Sequence, residues 1–90
     1  MQLSEFQRHI ERIYYERDKA RGTGGTFMWF IEEVGELATA LATGDKENTE
    51  EEFADVFAWM CTLANITDVD LEVACRKYTE GRHKDGFKPK

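Results

Sequence analysis

The sequence predicts an all-α chain, and three observations predict it. Proline occurs once in ninety residues, at position 89, so nothing interrupts helix formation over most of the length. Apolar residues recur at three- and four-residue spacing in long segments. No segment sustains the apolar–polar alternation of a half-buried strand.

The elements follow in order. A first helix is expected after Ser4, which with Gln7 has the spacing of a capping box. Phe6, Ile10, Ile13 and Tyr14 would give it one apolar face, and it should end near Lys19. The glycine-rich stretch 21–26 then reads as a flexible connector or lid. It lacks the lysine and hydroxyl residue that close a P-loop. A second helix, residues 27–43, stops at Gly44, and residues 45–47 form a turn. The third helix is expected to start at Asn48 or Thr49 and run to about Asn65. A short fourth helix, about 70–80, would be capped by Asp68 or Asp70 and ended by Gly81, leaving a basic tail over 82–90. No linker divides the chain, so residues 1–90 read as a single domain. A chain of this size buries only about 60–65% of its unfolded surface, which makes its own core marginal.

Eighteen acids against twelve bases give a net charge of −6. That balance disfavours a binder of polymeric nucleic acid, which needs a basic footprint to displace counterions from phosphate. No apolar run approaches the ~20 residues of a membrane span, and no signal peptide is recognisable at the start. Cys61 and Cys75 lack metal or redox spacing, so a reduced cytoplasmic protein is expected. His9 and His83 join no recognisable constellation.

The informative feature is a pair of acidic motifs inside apolar helices. On a helical wheel Phe27, Phe30, Ile31, Val34, Leu37, Ala38 and Leu41 form the expected core face of the second helix. Trp29, Glu33, Glu36 and Ala40 lie beside it, with Glu32 on the far flank of Glu36. In the third helix Phe53, Val56, Phe57, Met60, Leu63 and Ala64 face the core, while Glu52, Asp55, Trp59 and Thr62 run along its flank. A short turn makes the two helices antiparallel, so the flanks can face each other. Two carboxylates about 4 Å apart repel by about 4 kcal/mol at an effective dielectric of 20, and four together call for protons or a divalent cation. All-oxygen donors without histidine suit Mg²⁺, with Mn²⁺ as a substitute, rather than zinc or a di-iron centre. Spacing alone leaves a second reading, a solvated acidic face in which Glu51 and Glu52 serve as helix-capping partners.

At these residues the sequence resembles the MazG-type all-α nucleoside triphosphate pyrophosphohydrolases, whose signature is E-x-x-E and then E-x-x-D on consecutive antiparallel helices. Here it reads Glu33-Val34-Gly35-Glu36 and Glu52-Phe53-Ala54-Asp55, and the likeness extends over roughly residues 27–80. The resemblance implies a small four-helix unit whose bundle is completed by a second subunit, in a homo-dimer or tetramer. It implies Mg²⁺-dependent hydrolysis of a nucleoside triphosphate to the monophosphate and pyrophosphate, in house-cleaning or nucleotide-pool control. Carried over by position, Glu33, Glu36, Glu52 and Asp55 would be the metal ligands. Glu32 would position or deprotonate the attacking water, or be an exposed helix acid. Asn65 and Lys77 match positions that suggest phosphate contacts, against a solvated charge for Lys77. Trp29 and Trp59 would stack on a base or pack at a subunit interface. Arg76, Arg82 and Lys84 are candidates through charge and location alone. The alternative function is a non-catalytic helical module that binds nucleotide or a partner.

Overall fold

The computed structural model describes residues 1–80; the expected stop at Gly81 and the basic tail, with Arg82 and Lys84, lie outside the described residues. Among the described residues all regular structure is helical. The fold is built on α1 (Leu3–Thr43) and α2 (Lys46–Ile66), followed by two short turns, α3 (Leu71–Ala74) and α4 (Arg76–Thr79).

The first two expected helices are one element with a bend. Only Gly22 leaves helical geometry, at φ 84° and ψ 167°, and residues 23–26 already belong to the next turn. The expected connector or lid is therefore a one-residue hinge. A straight helix of 41 residues would run about 60 Å, whereas the longest dimension of the molecule is 40 Å. The bend folds α1 into two arms, residues 3–21 and 23–43, and both pack on α2.

The caps also differ from expectation, and each difference has a local cause. Helix α1 starts before Ser4, with Gln2 as N-cap and its N–H donating to Glu5 Oε1 at 3.0 Å. Gln7 is thereby released from capping and is fully buried. Asp45 caps α2 by accepting from the Asn48 N–H at 3.1 Å, so Lys46 and Glu47 are helical rather than a turn. Of the two caps expected for the last helix, Asp70 is the one used: it caps α3, accepting from the Val73 N–H at 3.1 Å. Asp68 instead takes the left-handed region at φ 59° in the preceding link. The expected fourth helix is split at Cys75 into α3 and α4. Gly44 ends α1 as expected, in left-handed geometry (φ 76°) with its N–H bonded to the Ala40 carbonyl at 3.1 Å.

Packing between the arms and α2 uses small and polar side chains. Ile10, Ala40, Cys61 and Ala64 are buried, together with Gln7, Asp18, Thr26, Thr62 and Asn65. Gln7 ties the N-terminal arm to the end of α2: its Nε2 donates to Asn65 Oδ1 (2.9 Å) and to the Val69 carbonyl (2.8 Å), and its Oε1 accepts from the Leu71 N–H (2.9 Å). Phe6 stacks on Phe57 at 5.5 Å in the same region.

Among the described residues the core face expected from the wheel is covered only in part: Ala64 is buried and Phe30, Leu37, Val56, Phe57 and Leu63 are half-buried. Phe27, Ile31, Val34, Leu41, Phe53 and Met60 are exposed, Leu41 by 56% and Phe53 by 53%. The reason is steric. Thr26, Ala40, Cys61 and Ala64 are small enough to let helices approach closely, so the arms pack through those stripes. The bulkier apolar stripe is left facing outward.

Candidate metal centre

Residues 23–43 of α1 and the first half of α2 form an antiparallel pair held near the turn by Thr49, whose hydroxyl donates to the Ala40 carbonyl at 3.3 Å. Further along, Trp29 and Trp59 lie with ring centroids 6.1 Å apart and planes 13° from parallel, so the two flanks do face each other. Between these contacts sit the acids. One carboxylate oxygen each from Glu33, Glu36 and Glu52 lies within 4.8 Å of the others.

The surroundings of these carboxylates differ. Glu33 and Glu52 are half-buried and Glu36 is exposed. Oε2 of Glu33 and Oε2 of Glu52 are buried and have no hydrogen-bond partner. Burial raises the Glu33 carboxyl above the ordinary carboxylate range, and the charges of Glu36, Asp55 and Glu52 push it the same way. Burial likewise raises Glu52, assisted by the charge of Glu36 and a hydrogen bond with it, and by Asp55 and Glu51. A buried carboxylate oxygen without a donor is costly, and natural proteins supply a partner for almost all such groups. Several hard oxygen donors converging in a small volume fit a divalent cation of the Mg²⁺ class.

The remaining expected residues divide. Asp55 stands at the edge of this group: it is exposed, its charge acts on Glu33 and Glu52, and it lines a neighbouring cleft. Glu32 is exposed and outside the group. Asn65 is buried with both ends of its amide engaged by Gln7, its Nδ2 donating to the Gln7 carbonyl at 3.3 Å. That gives it an anchoring position under the N-terminal arm. Lys77 lies on α4, half-buried, with its ammonium 4.9 Å from the centre of the Tyr78 ring.

Reading by motif missed a polar node beside the acids. Asp18, 3% exposed, accepts from Thr62 Oγ1 at 2.9 Å and from Arg21 Nη1 at 3.1 Å. Arg21 also donates to Thr26 Oγ1 at 3.3 Å, and its guanidinium lies 4.9 Å from the centre of the Trp59 ring. One sequence signal pointed there: positions 10, 14 and 18 share a helix face, so Asp18 continues the stripe of Ile10.

Residues 24–87 match the MazG nucleotide pyrophosphohydrolase domain. The chain belongs to that family. No match is found among curated proteins. The MazG match starts two residues after the bend at Gly22 and contains both acidic motifs. The all-α architecture accords with the MazG fold. The N-terminal arm, with Asp18 and Arg21, precedes the matched stretch.

Proposed function

We propose that this MazG-family chain is a Mg²⁺-dependent nucleoside triphosphate pyrophosphohydrolase, converting (d)NTP and water to (d)NMP and pyrophosphate, with Mn²⁺ as a substitute metal. One observation carries the reading: Glu33, Glu36 and Glu52 converge at ligand distance, and two of their oxygens are buried without donors. Those three residues would hold the cation, and Asp55 is near enough electrostatically to complete the set as the substrate closes. A bound divalent cation supplies charge neutralisation of the triphosphate and activation of water. The chain's own part is to keep the carboxylates close and partly desolvated, so that they release protons when the cation arrives. Glu32, one residue from Glu33 and open to solvent, is assigned to orienting water at the rim. Trp29 and Trp59 offer an aromatic wall beside the acids, which suits a base or ribose. Lys77 is assigned to the phosphates; Asn65 contributes by fixing the arm through Gln7. The MazG family match supports a house-cleaning or pool-control role.

The functional unit is a homo-oligomer, dimer or tetramer. The exposure of Phe27, Ile31, Val34 and Leu41 along one stripe of α1, and of Phe53 and Met60 on α2, supports this, because large apolar side chains grouped at a surface mark a contact face. No described helix is long and apolar enough to cross a membrane.

A panel of NTPs and dNTPs incubated with Mg²⁺ and scored for pyrophosphate against orthophosphate tests the reaction. Pyrophosphate release that Glu36→Gln abolishes is the expected result. Orthophosphate alone, or release unaffected by that change, overturns it. Nucleotide binding without turnover would favour a non-catalytic module.

A further inference from the structure

Between the N-terminal arm of α1 and α2, the bend leaves a cleft of about 260 Å³. Its walls include Tyr14, Arg17, Asp18 and Arg21 from the arm and Asp55, Trp59 and Thr62 from α2. It therefore abuts the carboxylate group at Asp55, which lines the cleft and stands at the edge of that group. Arg17 and Arg21 stand one helical turn apart, and each rests on an aromatic ring of the same cleft. Arg17 lies 5.3 Å from the centre of the Tyr14 ring, and Arg21 lies 4.9 Å from that of Trp59.

Arg21 is not a solvated surface charge. Its side chain is only 23% exposed, and its partner Asp18 only 5%. Both recorded hydrogen bonds of its guanidinium use Nη1, toward Asp18 and Thr26. Thr62 in turn fixes the other oxygen of Asp18. The carboxylate thus holds one edge of the guanidinium fork while the cation stays over the cleft wall. A guanidinium that is oriented in advance loses little rotamer freedom when it binds, and its planar fork matches phosphate oxygens.

We propose that this cleft is the phosphate-chain subsite of the same active site, with Arg21 as its principal anion-binding residue, Arg17 as a second cation and Asp18 as a positioning residue. The inference rests on the pyrophosphohydrolase reading for its ligand, a polyphosphate chain bridging from the metal-held end at the carboxylates to the arginines. The charge arrangement supports it: Glu33, Glu36 and Glu52, beyond Asp55, repel an anion until a cation is bound, and the two arginines of the cleft attract it. The anion site is built on residues that precede the stretch matched to the family, so the N-terminal arm is part of the substrate site in this chain and not only a support.

Calorimetric titration of the full-length protein with inorganic tripolyphosphate in the presence of Mg²⁺ tests this, with Mg²⁺ alone titrated in parallel. Arg21→Gln is expected to weaken tripolyphosphate about ten- to hundredfold, the range for losing a charge-assisted contact, and to leave Mg²⁺ affinity unchanged. Arg17→Gln, an exposed change that leaves the fold intact, should weaken it less but measurably. Asp18→Asn should weaken it in the wild-type background and add nothing once Arg21 is Gln, a non-additivity that simple destabilisation would not produce. Arg17→Gln and Arg21→Gln proteins that melt as folded chains yet bind tripolyphosphate like wild type overturn the proposal, as does wild type that binds none. The two readings separate cleanly. Pyrophosphate release with unchanged KM in both arginine variants sinks the subsite and leaves the enzyme. Arginine-dependent tripolyphosphate binding without turnover of any nucleotide sinks the enzyme and leaves an anion site.

Discussion

At the scale of single residues, Glu33 and Glu52 carry the strongest physical signal, because both are pushed toward the protonated form before any cation is present. Folding raises their carboxyls above the ordinary value of 4.5, so the folded chain binds protons more tightly than the unfolded one. Their contribution to stability is full below that value and is lost as pH rises through the raised range. Metal-free protein is therefore expected to melt at progressively lower temperature as pH climbs above 4.5 through the raised range of these two carboxyls. Millimolar Mg²⁺ should reverse the loss, and Glu33→Gln should flatten the slope; calorimetry across pH checks all three. For activity, Glu36→Gln or Glu52→Gln is expected to lower kcat by at least about a hundredfold, since even residues behind a metal's direct ligands cost ten- to a hundredfold. A variant retaining a tenth of wild-type pyrophosphate release would count against the metal centre. The cysteines offer a simpler check. Burial pushes the Cys61 thiol up to about 11, while Cys75 is exposed. A thiol reagent at neutral pH should label Cys75 promptly and Cys61 only on unfolding. The i, i+3 acids were legible in the sequence because spacing alone fixes their relation on a helix. Asp18 and Arg21 were hard to find, because their importance depends on Thr62 and Trp59, which lie 44 residues from Asp18 and 38 from Arg21 respectively.

At the scale of elements, what the sequence concealed was the behaviour of glycine. Residues 21–26 have the composition of a loop, yet only Gly22 adopts a left-handed φ and the others are helical. Glycine permits a bend without requiring a loop, and packing of both arms on α2 decides between the two. Two helix starts were misread: Ser4, and Asn48 or Thr49, have capping chemistry, yet Gln2 and Asp45 cap instead through bonds with Glu5 and Asn48. Asp70, by contrast, was one of the two caps expected for the last helix. The bend gives a paired prediction. Gly22→Ala forces a side chain into φ 84° and ψ 167°, a region essentially reserved for glycine, and should destabilise the chain by about 1–3 kcal/mol, besides shifting Arg21 out of its cleft. Gly35 lies mid-helix with open space around its Cβ position, so Gly35→Ala should stabilise the chain by up to about 1 kcal/mol. Urea unfolding of the two variants beside wild type is the measurement, and opposite signs are the expected outcome. Equal effects would mean that the bend is not held at Gly22.

For the molecule as a whole, the chain folds its acids together but leaves much of its apolar surface outside. The wheel identified that surface correctly as apolar, but only part of it, including Phe57 and Ala64, is covered among the described residues, since a periodicity of 3.6 shows which residues need cover and not which chain supplies it. Leu41, Phe53 and Phe27 are each about half exposed, in a chain whose buried set is mostly small or polar. Apolar area of this kind is worth about 25 cal/mol for each Å² removed from water, so pairing of two such faces is strongly favoured. Leu41→Lys tests it away from the acids, five residues beyond Glu36. The change lies on a solvent-facing position of the single chain, where substitutions usually shift stability by no more than about 0.5 kcal/mol. If the stripe were merely tolerated exposure, mass by light scattering would be the same for both proteins. The expected result is a wild-type oligomer that Leu41→Lys disperses at micromolar concentration, with a loss of melting temperature that grows on dilution. A wild-type chain that runs as a monomer at every concentration would remove the oligomer from the proposed function while leaving the carboxylate centre, which α1 and α2 assemble within one chain.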